Sequence, residues 1–113
     1  MADAKYISKT HETGTVSYSE EVISTIAAEA LGHVDGVHPV KTKHSGHSIR
    51  VKVAADKVTL ECAIRVEYGK AVEDVAKKAQ SEVAEAVTSM TGLEIAAVNI
   101  TVSGIVSTVR NAE

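Results

Sequence analysis

The residues of this chain that could do chemistry are few and scattered. His44 and His47, in the run His-Ser-Gly-His, offer two imidazoles to a metal, and His33 and His38 precede them. A structural metal site needs three or four ligands of defined geometry, often with a cysteine pair. The single Cys62 supplies no pair and no internal disulfide. These histidines therefore read as solvated loop and helix-end side chains, and no metal is expected. Cys62 sits in an alternating apolar run and reads as a small core residue. Ser103-Gly104 lacks the glycine two positions before the serine that a nucleophile elbow needs. The glycines at 14, 32, 36, 46, 69, 92 and 104 are dispersed as caps and turns, so no phosphate loop is present. Glu20–Glu21 and Glu73–Asp74 fall in predicted first helical turns, where the helix dipole favours acids without any catalytic role. The chain thus reads as non-enzymatic, with no catalytic residue and no cofactor.

One basic concentration remains. Lys41, Lys43, Arg50 and Lys52 cluster in sequence with His44 and His47 between them. They could meet phosphate groups or an acidic partner surface. Arg50 and Lys52 are also expected on the solvent side of a strand, where charge discourages edge pairing. Together with Arg65 they form the candidate partner interface.

The elements that must position these residues follow from side-chain period. Val58, Leu60, Cys62, Ile64 and Val66 alternate with Thr59, Glu61, Ala63, Arg65 and Glu67. Beyond Gly69, Val72, Val75, Ala76, Ala79, Val83, Ala86, Val87 and Met90 fall on one helical stripe. The period thus switches from two to about 3.6 at a glycine, which marks a strand handing over to a helix. The helix is expected over Ala71 to Met90, ended by Thr91-Gly92. A final strand starts near Leu93, and its apolar phase shifts near Ala97, which calls for a bulge or kink.

Upstream, Ser19 is the expected N-cap of a first helix, with Glu20 and Glu21 behind it. That helix buries Val22, Ile23, Ile26, Ala27, Ala30, Leu31 and Val34, and Asp35-Gly36 stops it. Thr15–Tyr18 is expected as a brief strand. Val37–Lys43 is expected as a strand confined by Pro39 to an edge or a bulge, and His44–His47 as a loop. Ile49, Val51 and Val53 should pair with the strand Val58–Tyr68 as a hairpin turning through Ala54–Lys57.

Every apolar stripe is one-sided. The fold class expected is α+β: a two-layer sandwich, with a mixed or mostly antiparallel sheet of about four strands and two helices on one face. The other face, carrying Arg50, Lys52, Glu61, Arg65, Glu67, Asn99 and Thr101, should be polar. Residues 1–12 are expected to be a flexible segment, 13–106 the domain, and 107–113 a tail.

At 113 residues the chain has the size of one domain. It carries a net charge of −3 and three Tyr but no Phe or Trp. No global field draws it to phosphate or anionic lipid, and few rings are available to stack bases, so nucleic acid is an improbable partner. No apolar run reaches the roughly 18 residues of a membrane span, and nothing resembles a signal peptide, so a cytoplasmic location is expected.

Three blocks carry a family likeness. The first is Gly14-Thr-Val-Ser-Tyr-Ser-Glu-Glu-Val-Ile, followed by Ile26-Ala-Ala and the helix exit Val34-Asp-Gly-Val37. The second is Arg65-Val-Glu-Tyr-Gly69, leading to Val75-Ala and Gln80. The third is Met90-Thr-Gly-Leu93 with Val98-Asn-Ile-Thr-Val-Ser-Gly104. With all three in order over about Gly14 to Val106, the chain resembles the bacterial alkaline shock protein family of envelope stress response proteins. The resemblance implies a non-enzymatic cytoplasmic protein tied to envelope homeostasis or alkaline stress. It also implies self-association and, as in some members, docking to a membrane-anchored partner protein. It carries over no catalytic residue. The His44–His47 loop and the tail are shorter than in many members, so a role for those segments does not transfer. The other readings are a small RNA-binding α/β domain and a regulator linked to fatty-acid metabolism.

Overall fold

The computed structural model describes residues 6–40, 48–54 and 57–107. In chain order the elements are β1 (Tyr6–His11), β2 (Gly14–Ser19), α1 (Glu20–Gly32), β3 (Val37–Pro39), β4 (Ile49–Ala54), β5 (Lys57–Glu67), α2 (Val72–Thr91) and β6 (Glu94–Val106). The expected two-layer α+β sandwich is what forms. β5 is the middle of a mixed sheet, with β3 and β4 antiparallel to it and β6 parallel.

The register places the strands. β6 runs along the whole of β5, from Lys57↔Glu94 to Glu67↔Val106, and so occupies one of its edges. β3 pairs with Ile64–Val66 and β4 with Lys57–Cys62, so both share the other edge, end to end. They are one edge strand interrupted between Pro39 and Ile49. Pro39 has no N–H to give a ladder, and the chain leaves the sheet just after it. The strand expected over Val37–Lys43 therefore stops at Pro39; residues 41–47, with the His44–His47 loop, lie outside the described residues.

Both helices cover one face. Val58, Leu60, Cys62, Ile64 and Val66 of β5 are all at most 2% exposed. α1 buries Ile23, Ile26, Ala27, Ala30 and Leu31, and α2 buries Val75, Ala79, Val83, Val87 and Thr91. α1 lies over β3 and β4, α2 over β6, and the helices pack side by side. Alanines at the interface let the helices approach the sheet closely.

The helix pair is tied at both ends. At one, Lys70 Nζ meets Asp35 Oδ2 at 2.7 Å. That hydrogen bond and the attraction behind it lower the Asp35 pKa and raise that of Lys70. The depressed carboxyl favours the fold above its unfolded pKa and loses that effect as pH falls. The raised ammonium favours it until pH climbs through the Lys70 pKa. The pair is largely solvent-exposed, so it adds little stability. At the other end Tyr18 Oη donates to the Thr91 carbonyl at 3.1 Å.

Local signals act as expected at the helix ends. Ser19 Oγ accepts from the Val22 N–H at 3.2 Å. Ser19→Ala should lower stability by about 1 kcal/mol, read as a shifted urea midpoint with an unchanged slope. α2 stops at Gly92, whose φ of +76° is a left-handed cap, and its N–H reaches the Thr88 carbonyl at 2.8 Å. The phase shift in β6 is also real. Val58 faces Ile95 but Thr59 faces Ala97, so Ala96 is a bulge, and a second shift skips Ser103.

The N-terminal stretch expected to be loose contains β1, which forms a two-stranded hairpin with β2. Among Tyr6–His11 only Ile7 is buried, at 4% exposure, so no apolar alternation announces a strand. Pairing supplies the order instead, with hydroxyl contacts between Ser8 and Ser17 at 2.8 Å and Thr10 and Thr15 at 3.3 Å. Residues 1–5 and 108–113, and with them most of the expected tail, lie outside the described residues.

Candidate interaction surface on the open sheet face

Alternate residues of a strand point to opposite faces. The face turned away from the helices therefore carries Arg50 and Lys52 of β4, Thr59, Glu61, Ala63, Arg65 and Glu67 of β5, and Ala97, Asn99 and Thr101 of β6. Every polar position expected on this face lies there. Cross-strand rows follow from the register: Lys52–Thr59–Ala97, then Arg50–Glu61–Asn99, then Ala63–Thr101, then His38–Arg65–Gly104. Among the described residues no element covers it.

The charges on this face are partly engaged. Lys52 Nζ lies 3.3 Å from Glu61 Oε2, with the lysine side chain 56% exposed. Arg50 is exposed and makes no ion pair within 4 Å among the described residues. Arg65 behaves differently from the expected free cation of a partner patch. Its Nε and Nη2 donate to the Pro39 carbonyl at 3.2 and 3.0 Å. It thereby clamps the point where the edge strand breaks, and its stem lies over Gly104. Lys41 and Lys43 fall outside the described residues. His38 Nε2 lies 3.5 Å from Glu67 Oε1.

Sequence reasoning missed the role of Pro39 as an acceptor. A carbonyl freed where a strand leaves its ladder is a usual target for a nearby guanidinium. Pro39 marked the break, but nothing in the sequence paired it with Arg65.

Among the described residues no three His, Cys, Asp or Glu side chains could hold a metal. Cys62 is 2% exposed, and burial pushes its thiol up to about 11. The thiolate is the reactive form. A disulfide reagent at about pH 8 should therefore react slowly with the folded protein and promptly in denaturant. A fast reaction in the native state would contradict this placement.

The interruption between β3 and β4 leaves an apolar cavity of about 210 Å3, lined by Ala28, Leu31, Val37, Ile49 and Ile64 among others. Ligand pockets usually run from about 300 to 1,000 Å3 and place a few converging polar groups. This one falls below that range. No helix among the described residues is long and apolar enough to cross a membrane.

Comparison with known proteins fits this geometry. Solved structures named MamM CTD share the fold, with a TM-score of 0.52 at 20% identity over 75% of this chain and 94% of theirs. A zinc form of the same domain matches at 19% identity and a TM-score of 0.52, over 82% of this chain and 88% of its own. At such identities the likeness is one of fold alone. The uncharacterized protein YqhY of Bacillus subtilis (strain 168) is 30% identical over 121 residues, covering 93% of this chain and 89% of that protein. The model of the alkaline shock protein 23 family, described by a cell envelope-related function, matches residues 8–107. The three sequence blocks and the fold that joins them agree with that match, and the chain belongs to this family.

Proposed function

We propose that this protein serves the cell envelope by binding rather than turnover, associating with itself and docking on a membrane-anchored partner from the cytoplasmic side. The observation that carries the reading is the open sheet face. It is a broad pleated surface with Thr59, Glu61, Ala63, Arg65 and Glu67 along its middle strand and Arg50 and Lys52 on one flank. A flat face of this kind meets a protein surface better than it encloses a small molecule. Its exposed cations suit an acidic partner patch, which steers encounter and makes the contact sensitive to salt.

Arg50→Gln with Lys52→Gln tests this. Glutamine removes charge without setting a like charge against Glu61 across the strands, which itself would destabilise the sheet. The tagged protein should recover an integral envelope protein from detergent-solubilised membranes. The double variant should lose that recovery by about tenfold while keeping a native circular dichroism spectrum, as expected for a few exposed charge contacts. Equal recovery by both proteins would sink the docking role of these residues.

The RNA reading is disfavoured by the same face, which carries none of the three tyrosines on which bases could stack. A fatty-acid link through an acyl group would need an apolar recess, such as the small cavity between β3 and β4 or the groove between α1 and α2 at Ile26, Ala30, Ala86 and Met90. Native mass spectrometry showing a stoichiometric lipid would favour that reading instead.

A further inference from the structure

The two edges of the sheet are treated differently. The edge formed by β3 and β4 is broken after Pro39, carries Arg50 and Lys52, and has its break clamped by Arg65. Breaks, proline and charge are the usual ways of keeping an edge from pairing with another chain. The β6 edge carries two bulges and the charged Glu94 at its start, but is otherwise unprotected. From Ile95 to Val106 it contains no charged residue and no proline, and it is rich in β-branched side chains. Among the described residues no strand pairs with its outer side, and a side chain of α2, Gln80, donates its Nε2 to the Val98 carbonyl at 3.0 Å, a bond that a ladder partner at that position would have to share or replace. The flank of α2 beside it presents Gln80, Ser81 and Ala84 against Ile95–Val98, again without charge.

We infer that β6 is a pairing edge for a second copy of this chain, running antiparallel to itself across a two-fold axis. The inference rests on the self-association part of the function proposed above and names the surface that would carry it. The two bulges bound a regular stretch, Ala97–Val102. On the helix side it presents Val98, Ile100 and Val102, and on the open side Asn99 and Thr101. A two-fold antiparallel register that keeps apolar with apolar must pair residues of equal parity. Centred on Ile100, it sets Val98 against Val102 and Asn99 against Thr101. Centred on Asn99, it sets Val98 against Ile100 and Asn99 against its own copy. Either way the small helix flanks and uncharged strands meet without like-charge repulsion. The occupant is a second copy because the edge is complementary to itself in pattern and charge. The product is one continuous sheet with the open faces of both copies on the same side, which doubles the surface offered to a partner.

Cross-linking reads this directly. Opposed residues of an antiparallel pair lie about 4.5–5.5 Å apart at Cα, within disulfide reach. In a Cys62→Ala background, Asn99→Cys mixed with Thr101→Cys, or Asn99→Cys alone, should give a covalent dimer under mild oxidation. Thr101→Cys alone should not, because neither register sets that residue against its own copy. Asn99→Lys with Thr101→Lys, both at exposed positions, should weaken association at least tenfold while keeping the native spectrum. If none of the cysteine mixtures cross-links and the lysine variant still associates like wild type, self-association stands and the β6 edge is the wrong surface. If wild type is monomeric at every concentration, both this inference and the self-association reading fall.

Discussion

Leu60→Ala is expected to lower the stability of this domain by about 3 kcal/mol, within the usual span for a leucine deleted from a tight core. Leu60 is 0% exposed at the middle of β5. Val51 and Val98 stand directly opposite it on the two flanking strands, and both are 8% exposed. The strands cannot slide inward to fill the space without losing their register, so the loss combines burial with an unfilled cavity. A domain of this size has about 5–15 kcal/mol in total, so the variant should unfold at clearly lower urea. Val53→Ala is the control. Val53 is 45% exposed near the end of β4, and its loss should cost less than about 0.5 kcal/mol. Equal midpoints for the two variants would mean that the core is not centred on β5.

Thr91→Val should cost about 2 kcal/mol although it keeps the volume of the side chain. Thr91 is 6% exposed and is the buried polar residue among those described. Its Oγ1 donates to the Val87 carbonyl at 2.6 Å and accepts from the Leu93 N–H at 3.1 Å. It therefore closes the turn from α2 into β6. Valine leaves the Leu93 donor buried without a partner, and that penalty exceeds the worth of an ordinary hydrogen bond. Thr91→Ser keeps the hydroxyl and should recover most of the loss. Tyr18→Phe removes only the bond to the Thr91 carbonyl, which the tyrosine makes from a part-buried site, and should cost about 1 kcal/mol. Serine behaving like valine would show that the methyl group, not the hydroxyl, matters at this turn.

The main sheet and both helices were legible because their signals are one-sided and local. The alternation of Val58–Val66 marked the buried central strand, and the stripe of α2 marked its covering layer. The slip of apolar phase near Ala97 marked the Ala96 bulge. Ser19 and Gly92 mark helix ends by chemistry that acts within a few residues. β1 was not legible, because its order comes from pairing with β2 rather than from burying an alternating face. The parallel partnership of β5 and β6 was also open, since period two says nothing about strand direction. As for the candidate surface, the shared face of Arg50, Lys52, Glu61 and Asn99 followed from parity alone. The turning of Arg65 into the Pro39 carbonyl did not, because it depends on two residues 26 positions apart in sequence.

Sedimentation of the purified chain over a wide concentration range puts the whole account at risk in one measurement. A molecule that acts by association should show a mass rising with concentration from one copy to two or more. A single copy at every concentration, with no envelope protein recovered by the same preparation, would contradict the view that this fold is a binding surface and nothing else.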